Sequence, residues 1–297
     1  METINDEMLP AEVKRRLEEG RIAVEHLRAM TKNLERVNEK LRMSEALRSD
    51  FLSNVRNEMN NPLAAILGLV GQIADRKVDA ETAVTMADAV YEEAFYLDFQ
   101  LRNIFAAAEL EAGEASLGAA RVDVASLIRK LAADFGRRAN AKRVAVDVDE
   151  GAPGEGQLLF ATDPEKLRII LANLVANAVE FTKEGTAVSI RARCEGGALA
   201  IAVADEGPGI PPADRKKVFD RFVQLDSGIR KHHRGHGLGL SIAKAFAEML
   251  GGDIALSCEE GRGCVFTLSI AELLSDDLID TSSSDGNEFI FEQGAGS

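Results

Sequence analysis

The chain has 297 residues, enough for two small domains that each bury a core, with 46% hydrophobic and 28% charged side chains. Its formal net charge of −14 disfavours non-specific nucleic-acid binding, which requires a basic surface. No apolar run has the length of a membrane-spanning helix and no signal pattern opens the chain, so we expect a cytoplasmic protein without membrane insertion.

Residues 1–48 form the first segment of the chain, of which residues 11–48 are rich in Glu, Lys, Arg and Leu, with apolar or small residues at alternating steps of three and four. This spacing predicts a coiled-coil helix, although a single amphipathic helix packed on the next domain would give a similar pattern. The predicted seam consists of Val13, Leu17, Gly20, Val24, Leu27, Thr31, Leu34, Val37 and Leu41.

The sequence pattern of residues 49–118 predicts a helical hairpin. The first helix continues to about Ile73 with an expected kink at Pro62, and a polar turn follows at 75–81. The second helix is predicted from Ala80 to Ala112, where Gly113 provides a left-handed cap. Because a hairpin cannot bury both of its faces, we expect a homodimer in which two hairpins form a four-helix bundle.

Residues 119–272 alternate short strands with helices and predict an α+β sandwich. The acidic tail, 273–297, has a composition typical of disorder, with residues 289–291 as an alternative docking strip. The three cysteines lack metal-ligand spacing and are interpreted as thiols: Cys194, Cys258 and Cys264. The predicted strands are Val144–Val148, Leu158–Ala161, Val188–Arg193, Ala198–Ala204, Ile254–Ser257 and Cys264–Ile270, and the predicted helices are Val124–Phe135, Pro164–Val179 and Leu240–Leu250.

Within this domain, Asn173 and Asn177 lie one helical turn apart, so both amides share a face. Two amide oxygens on one face can bind a hard cation such as Mg²⁺, although such pairs also serve as caps or surface residues.

Asp205 follows an apolar strand and can accept a hydrogen bond from the exocyclic amine of adenine. The neighbouring glycines, Gly207 and Gly209, allow close approach of a base, although DEGPGIP (205–211) is also a sequence typical of an ordinary turn.

A polar segment, 211–236, has the length of a mobile lid and carries Phe219 and Phe222 before a basic cluster. The cluster consists of Arg230, Lys231 and Arg234. GHGLGLSIAK (235–244) then places Gly235, Gly237 and Gly239 before a helix whose free N–H groups can bind phosphates. There is no GxxxxGK[ST] motif, which excludes a P-loop site.

These four elements, in this order, resemble the N, G1, F and G2 boxes of the GHKL (Bergerat-type) ATPases. FLSNVRNEMNNPLAAILG (51–68) resembles the dimerisation and phosphoacceptor motif of histidine kinases, AELEAG (108–113) the end of the second hairpin helix, and EEGRGCVFTLSI (259–270) the closing strand. The resemblance covers about residues 45–270. It implies an ATP- and Mg²⁺-binding protein of two-component signal transduction, whose partner is a response-regulator receiver domain.

By this resemblance, Asn177 holds Mg²⁺, Asn173 lies close to the phosphates and Asp205 binds adenine, flanked by Gly207 and Gly209. The triphosphate would lie against Gly235, Gly237, Leu238 and Gly239. The sequence departs from the family at Glu180, where Lys or Arg usually contacts phosphate. Lys183 or the lid cations, among them Arg234, are candidates to compensate.

A larger departure is Asn57, which occupies the position of the phosphoacceptor histidine. An amide nitrogen is a poor nucleophile, because its lone pair is delocalised into the carbonyl, so Asn57 cannot accept a phosphoryl group as imidazole does. Glu58 is then left with no histidine to activate. His26 lies about 46 Å away along a continuous helix, too far to substitute.

The sequence therefore predicts an ATP-binding member of the histidine-kinase family that has lost autophosphorylation and regulates a receiver domain or an active partner kinase. One alternative is an active kinase that phosphorylates another residue or subunit. A second is a receiver phosphatase that uses Asn61, at the position where the family orients water with Thr or Asn; a polar residue before Pro62 also explains Asn61 in purely structural terms.

Overall fold

The computed structural model describes residues 11–75, 78–149, 158–224 and 237–273. The side chains of residues 11, 12, 14, 23, 40, 41 and 43–58 lie outside this description. The predicted tail after residue 273 and the second half of the predicted lid also lie outside it. Of the helices in the described ranges, none combines the length and the apolar character that a membrane crossing requires.

The chain divides into two units, residues up to Val55 and residues from Arg56 onward. The described part of the first unit belongs to helix α1 (Ala11–Ala74), which carries ion pairs one turn apart, such as Arg21 with Glu18 at 2.7 Å. The described apolar residues of the predicted coiled-coil seam are exposed in the single chain: Val13, Leu17, Val24, Leu27, Leu34 and Val37. The coiled coil remains a prediction.

In the second unit, α1 continues through Pro62 to Ala74, and α2 (Ala80–Ala112) follows. The bounds of α2 are those predicted, because both of its ends are capped. The side chain of Asp79 accepts a hydrogen bond from the Thr82 N–H at 2.8 Å, and Gly113 adopts the left-handed conformation with a φ of 68°. Asn61 is exposed on α1, and its phosphatase role remains a prediction.

The rest of this unit is an α/β sandwich whose larger sheet has the strand order β2-β4-β5-β7-β6. Only β2 and β4 pair in parallel; the other neighbours are antiparallel. A separate pair, β1 with β3, is antiparallel. The strands are β1 (Ala120–Asp123), β2 (Ala145–Asp149), β3 (Leu159–Thr162), β4 (Ala187–Glu195), β5 (Ala198–Ala204), β6 (Asp253–Glu259) and β7 (Gly263–Ala271). The helices are α3 (Val124–Ala141), α4 (Pro164–Phe181) and α5 (Gly239–Met249), with a short 3-10 helix at Lys217–Phe219.

Every predicted strand and helix of this domain is confirmed in type, and two short elements were not predicted: β1 and the 3-10 helix at Lys217–Phe219. Strand β1 was not predicted, because its four residues lie between the hairpin and α3 and, although they alternate, form too short a run to indicate a strand. It forms by pairing with β3, where Val122 lies opposite Phe160.

The core lies between α3–α5 and one face of the larger sheet. Alternate residues of the central strands point to this face, so Ile190, Val203 and Phe266 are register partners that are all nearly inaccessible to water. From the helices, Phe246 and Leu174 complete the layer and are fully buried. Burying a side chain of this size contributes roughly 1.5–3 kcal/mol, and this core fixes the strand ends and helix ends that carry the candidate site.

Candidate nucleotide-binding site

Asp205 lies immediately after β5 and is 8% exposed. Its Oδ1 accepts hydrogen bonds from the backbone N–H groups of Gly207 at 2.8 Å and Cys264 at 3.3 Å. Among the described residues no group donates to Oδ2, so this oxygen is the acceptor left for a ligand. Burial raises the pKa of Asp205 above its usual value, and the N–H groups of Gly207 and Cys264 partly offset this effect.

The loop after Asp205 is closely packed, and its glycines are required for steric reasons. A Cβ at Gly207 would lie 2.7 Å from both Asp205 Oδ1 and the carbonyl oxygen of Phe181. Gly209 has a φ of 77°, and a Cβ there would lie 2.6 Å from the carbonyl oxygen of Glu259. A side chain at either position would therefore displace the loop from the sheet.

The turn between β6 and β7 holds this loop from the other side. The Gly261 N–H donates to the carbonyl of Pro208 at 2.8 Å, and Arg215 donates to the carbonyls of Ile210 and Cys258 at 3.1 and 2.7 Å. Lys183, a candidate phosphate contact, donates instead to the carbonyl of Gly261 at 2.8 Å. It therefore stabilises the turn in this structure.

The interpretation of all three cysteines as thiols was wrong for two of them. Cys258 and Cys264 are register partners in the β6–β7 hairpin and form a disulfide, whereas Cys194 is a free, exposed thiol. Pairing across two strands depends on the register of the hairpin, which cysteine spacing alone does not reveal. The disulfide closes the turn that packs against the Asp205 loop.

Replacing both Cys258 and Cys264 by Ser is expected to lower the free energy of unfolding by about 2 kcal/mol, because an unbridged hairpin has more entropy when unfolded. Urea unfolding with and without a dithiol reductant measures this difference, and Cys194→Ser serves as the control. An unfolding midpoint of the wild-type chain that is identical with and without reductant would contradict the prediction.

Helix α4 positions the two asparagines. It begins at Pro164 after Asp163, whose side chain accepts from the Lys166 N–H at 2.9 Å and from the Gly118 N–H at 2.7 Å. Asn173 and Asn177 lie one turn apart in the C-terminal half of α4. Asn173 is 4% exposed and Asn177 is half-buried. The shared face predicted for these two residues therefore lies on a helix anchored at its start.

The unfavourable charge at Glu180 is neutralised by α3. The Glu180 carboxylate forms an ion pair with Arg138 at 2.8 Å, in which both side chains are largely buried. Lys142 donates to the Glu180 and Val179 carbonyls at the end of α4, and burial lowers the pKa of this lysine. Arg138 was not predicted as the partner of Glu180, because it lies 42 residues away and no local pattern connects the two.

The second glycine loop leads into α5. Gly237 has a φ of 66°, and a Cβ there would lie 2.8 Å from the Val223 carbonyl oxygen. Leu238 is buried, and no side chain in the described part of the chain caps the helix. Among these residues, the first N–H groups of α5, starting at Gly239, therefore have no capping partner. Such a helix start favours an anion.

Of the remaining predicted site residues, some lie within the described ranges and others lie outside them. Phe219 packs edge-to-face on Phe266 of β7 with ring centroids 6.3 Å apart, which ties the first half of the predicted lid to the sheet. Arg234 and Gly235 lie outside the described residues, as do the side chains of Asn57 and Glu58, so their predicted roles stay predictions.

Residues 162–273 match the model of the histidine kinase-, DNA gyrase B- and HSP90-like ATPase family. The sensor-like histidine kinase SenX3 of Mycolicibacterium smegmatis is 33% identical over 228 residues, covering 77% of this chain and 58% of SenX3. The chain belongs to the sensor histidine kinase family. The predicted resemblance is thereby confirmed, and so is the ATPase-type α/β domain behind a helical region.

A second sensor histidine kinase and one solved structure are also similar over most of this chain. The sensor histidine kinase TmoS of Ectopseudomonas mendocina is 32% identical over 239 residues, covering 80% of this chain and 24% of TmoS. The crystal structure of full-length ShkA in complex with AMPPNP is 29% identical, with a TM-score of 0.51, and covers 78% of this chain and 47% of ShkA. The chain thus spans between about a quarter and three fifths of the length of these relatives.

Proposed function

We propose that this chain binds Mg-ATP at the candidate site and regulates a two-component pathway without phosphorylating itself. The observation that carries the proposal is Asp205, whose Oδ2 accepts from none of the described residues. It is followed by the loop of Gly207 and Gly209, in which a Cβ would collide with the backbone. A carboxylate in this position accepts from the amino group of adenine and opposes the carbonyl oxygen of guanine.

The phosphates would lie at the start of α5, against the N–H groups of Gly237, Leu238 and Gly239, with Gly235 and Arg234 contributing from the lid. Asn177 would hold Mg²⁺ through its amide oxygen. When bound, Mg²⁺ neutralises phosphate charge. The ion pair between Arg138 and Glu180 supports this arrangement, because it cancels the acid that would otherwise repel the phosphates.

The regulatory part of the proposal rests on Asn57 and on the hairpin. Without an imidazole at position 57, the chain has no nucleophile where its family is phosphorylated. The hairpin leaves apolar side chains exposed in the single chain: Leu63, Leu67, Val70, Val84, Tyr91 and Phe105. These residues support a homodimer, and the family supports docking of a response-regulator receiver domain or pairing with an active histidine kinase.

Isothermal titration calorimetry with Mg-ATP tests the nucleotide site. We expect saturable binding by the wild-type chain and about tenfold weaker binding by Asn177→Ala, because this variant lacks one contact to the metal. With EDTA in place of Mg²⁺, the two proteins should bind ATP equally. Asn140→Ala, an exposed amide at the end of α3, is the matched control. Absence of heat at millimolar Mg-ATP would refute the proposal.

A further inference from the structure

Helix α2 presents a polar residue to the nucleotide site. Its buried residues form a stripe at steps of three and four: Tyr96, Gln100, Asn103 and Ala106. This stripe faces the ATPase domain, since Phe95 and Phe99 both pack edge-to-face on Phe135 of α3, with ring centroids 5.4 and 5.8 Å apart. Toward the end of α2, Glu111 pairs with Arg221 at 3.1 Å. Within this interface, Asn103 is 4% exposed.

Asn103 contacts the side-chain amide of Asn173. The Asn173 Nδ2 donates to Asn103 Oδ1 at 2.7 Å and to the backbone carbonyl of Ile169 at 2.9 Å. Because a backbone carbonyl oxygen only accepts hydrogen bonds, the atom that faces Ile169 must be the nitrogen, and this fixes the orientation of the amide. Both N–H groups of Asn173 are therefore used.

The carbonyl oxygen of Asn173 points the other way, toward the second glycine loop. A Cβ at Gly239 would lie 2.5 Å from Asn173 Oδ1, so only glycine lets the start of α5 approach this oxygen. An oxygen in this position attracts a cation and repels a phosphate. Asn173 thus presents an oxygen of the kind that binds a metal, as the pair of amides suggested, whereas the family resemblance implied only that Asn173 lies close to the phosphates.

We propose that Asn103 is a positioning residue: by accepting from Asn173, it holds the Asn173 carbonyl oxygen toward the metal-phosphate end of the nucleotide site. This inference rests on the proposed function. It also couples the hairpin to the site, because the same hydrogen bond joins α2 to α4. By linkage, Mg-nucleotide binding stabilises the docking of α2 by the same factor by which docked α2 strengthens nucleotide binding.

Asn103→Leu removes the acceptor at nearly constant volume. We expect it to weaken Mg-ATP binding about tenfold in calorimetry and to leave ATP binding in EDTA unchanged, because the lost contact acts on the metal. Asn103→Asp keeps an acceptor oxygen and should bind Mg-ATP within about threefold of wild type. Gln100→Leu, one turn away on the same buried face, is the matched control and should bind as wild type does.

Hydrogen exchange of the wild-type chain tests the coupling without any substitution. Mg-ATP should slow amide exchange in α2 around Asn103, and ATP with EDTA should slow it less. Three results would each overturn the inference while leaving the nucleotide site intact. They are equal Mg-ATP affinities of Asn103→Leu and wild type, a weakening of binding that is the same with and without Mg²⁺, and amide exchange in α2 that is unchanged by Mg-ATP. Failure of the wild-type chain to bind nucleotide would refute the proposed function itself.

Discussion

We expect Asn57→His to phosphorylate itself, and the wild-type chain to remain unphosphorylated. A neutral imidazole has an available nitrogen lone pair near pH 7, whereas the amide nitrogen of Asn57 does not. The substitution also gives Glu58, the next residue along α1, a histidine to activate. Incubation with γ-labelled ATP and Mg²⁺ should give label on the variant that is labile to acid and stable to alkali.

The control for this gain is Asn57→Ala, which changes the same position without adding a nucleophile and should remain unlabelled, as the wild type should. Acid-labile, alkali-stable label on the wild-type chain would contradict the loss of autophosphorylation and favour the alternative, an active kinase with another acceptor. A variant that binds Mg-ATP but stays unlabelled would mean that the site and position 57 do not meet productively.

Asp205→Asn is expected to weaken ATP binding by up to about 100-fold, because the variant loses a hydrogen bond from adenine to a charged acceptor. The substituted amide can keep its oxygen on the N–H groups of Gly207 and Cys264, so the loop should stay folded. Its nitrogen then replaces Oδ2 and opposes the amino group of adenine. The same nitrogen can donate to guanine, so the preference for ATP over GTP should fall.

Calorimetry with ATP and GTP measures both affinities, and Glu184→Gln is the control. Glu184 is an exposed carboxylate paired with Arg143, so its neutralisation removes the same charge outside the site. If Asp205→Asn bound ATP as tightly as the control and kept its preference over GTP, adenine would not be bound by this carboxylate.

The same carboxylate predicts how binding depends on pH. Because burial raises the pKa of Asp205, protonation begins at a higher pH than for an ordinary aspartate, and the protonated form loses its free acceptor. ATP affinity should therefore fall as the pH decreases toward the raised pKa. The Asp205→Asn variant lacks this titration, and comparing it with wild type removes the contribution of the nucleotide's own phosphates.

The free energy of unfolding depends on pH in the opposite direction to ATP binding. A raised pKa means that the folded chain binds the proton of Asp205 more readily than the unfolded chain does. Asp205 therefore lowers the free energy of unfolding as the pH rises from the ordinary aspartate pKa to the raised one. Binding and stability thus change in opposite directions in this pH range, as expected for a group kept buried for a ligand.

The sequence by itself determined the elements whose signals are local. Helix α2 and strand β5 have the predicted bounds, because Asp79 and Gly113 cap the helix and an unbroken apolar run ends at Asp205. The ordered glycine motifs indicated the family. Of their glycines, the four that the structure describes stand where the backbone needs positive φ or close approach: Gly207, Gly209, Gly237 and Gly239. The absence of an imidazole at Asn57 is likewise readable from one position.

Only the tertiary structure decided how distant residues combine. Arg138 neutralises Glu180 across 42 residues, and Cys258 meets Cys264 only because the hairpin register makes them partners. The orientation of the Asn173 amide depends on Asn103, 70 residues away on another helix. Such contacts are set by how helices and strands pack, and packing depends on the whole core rather than on the spacing of neighbouring residues.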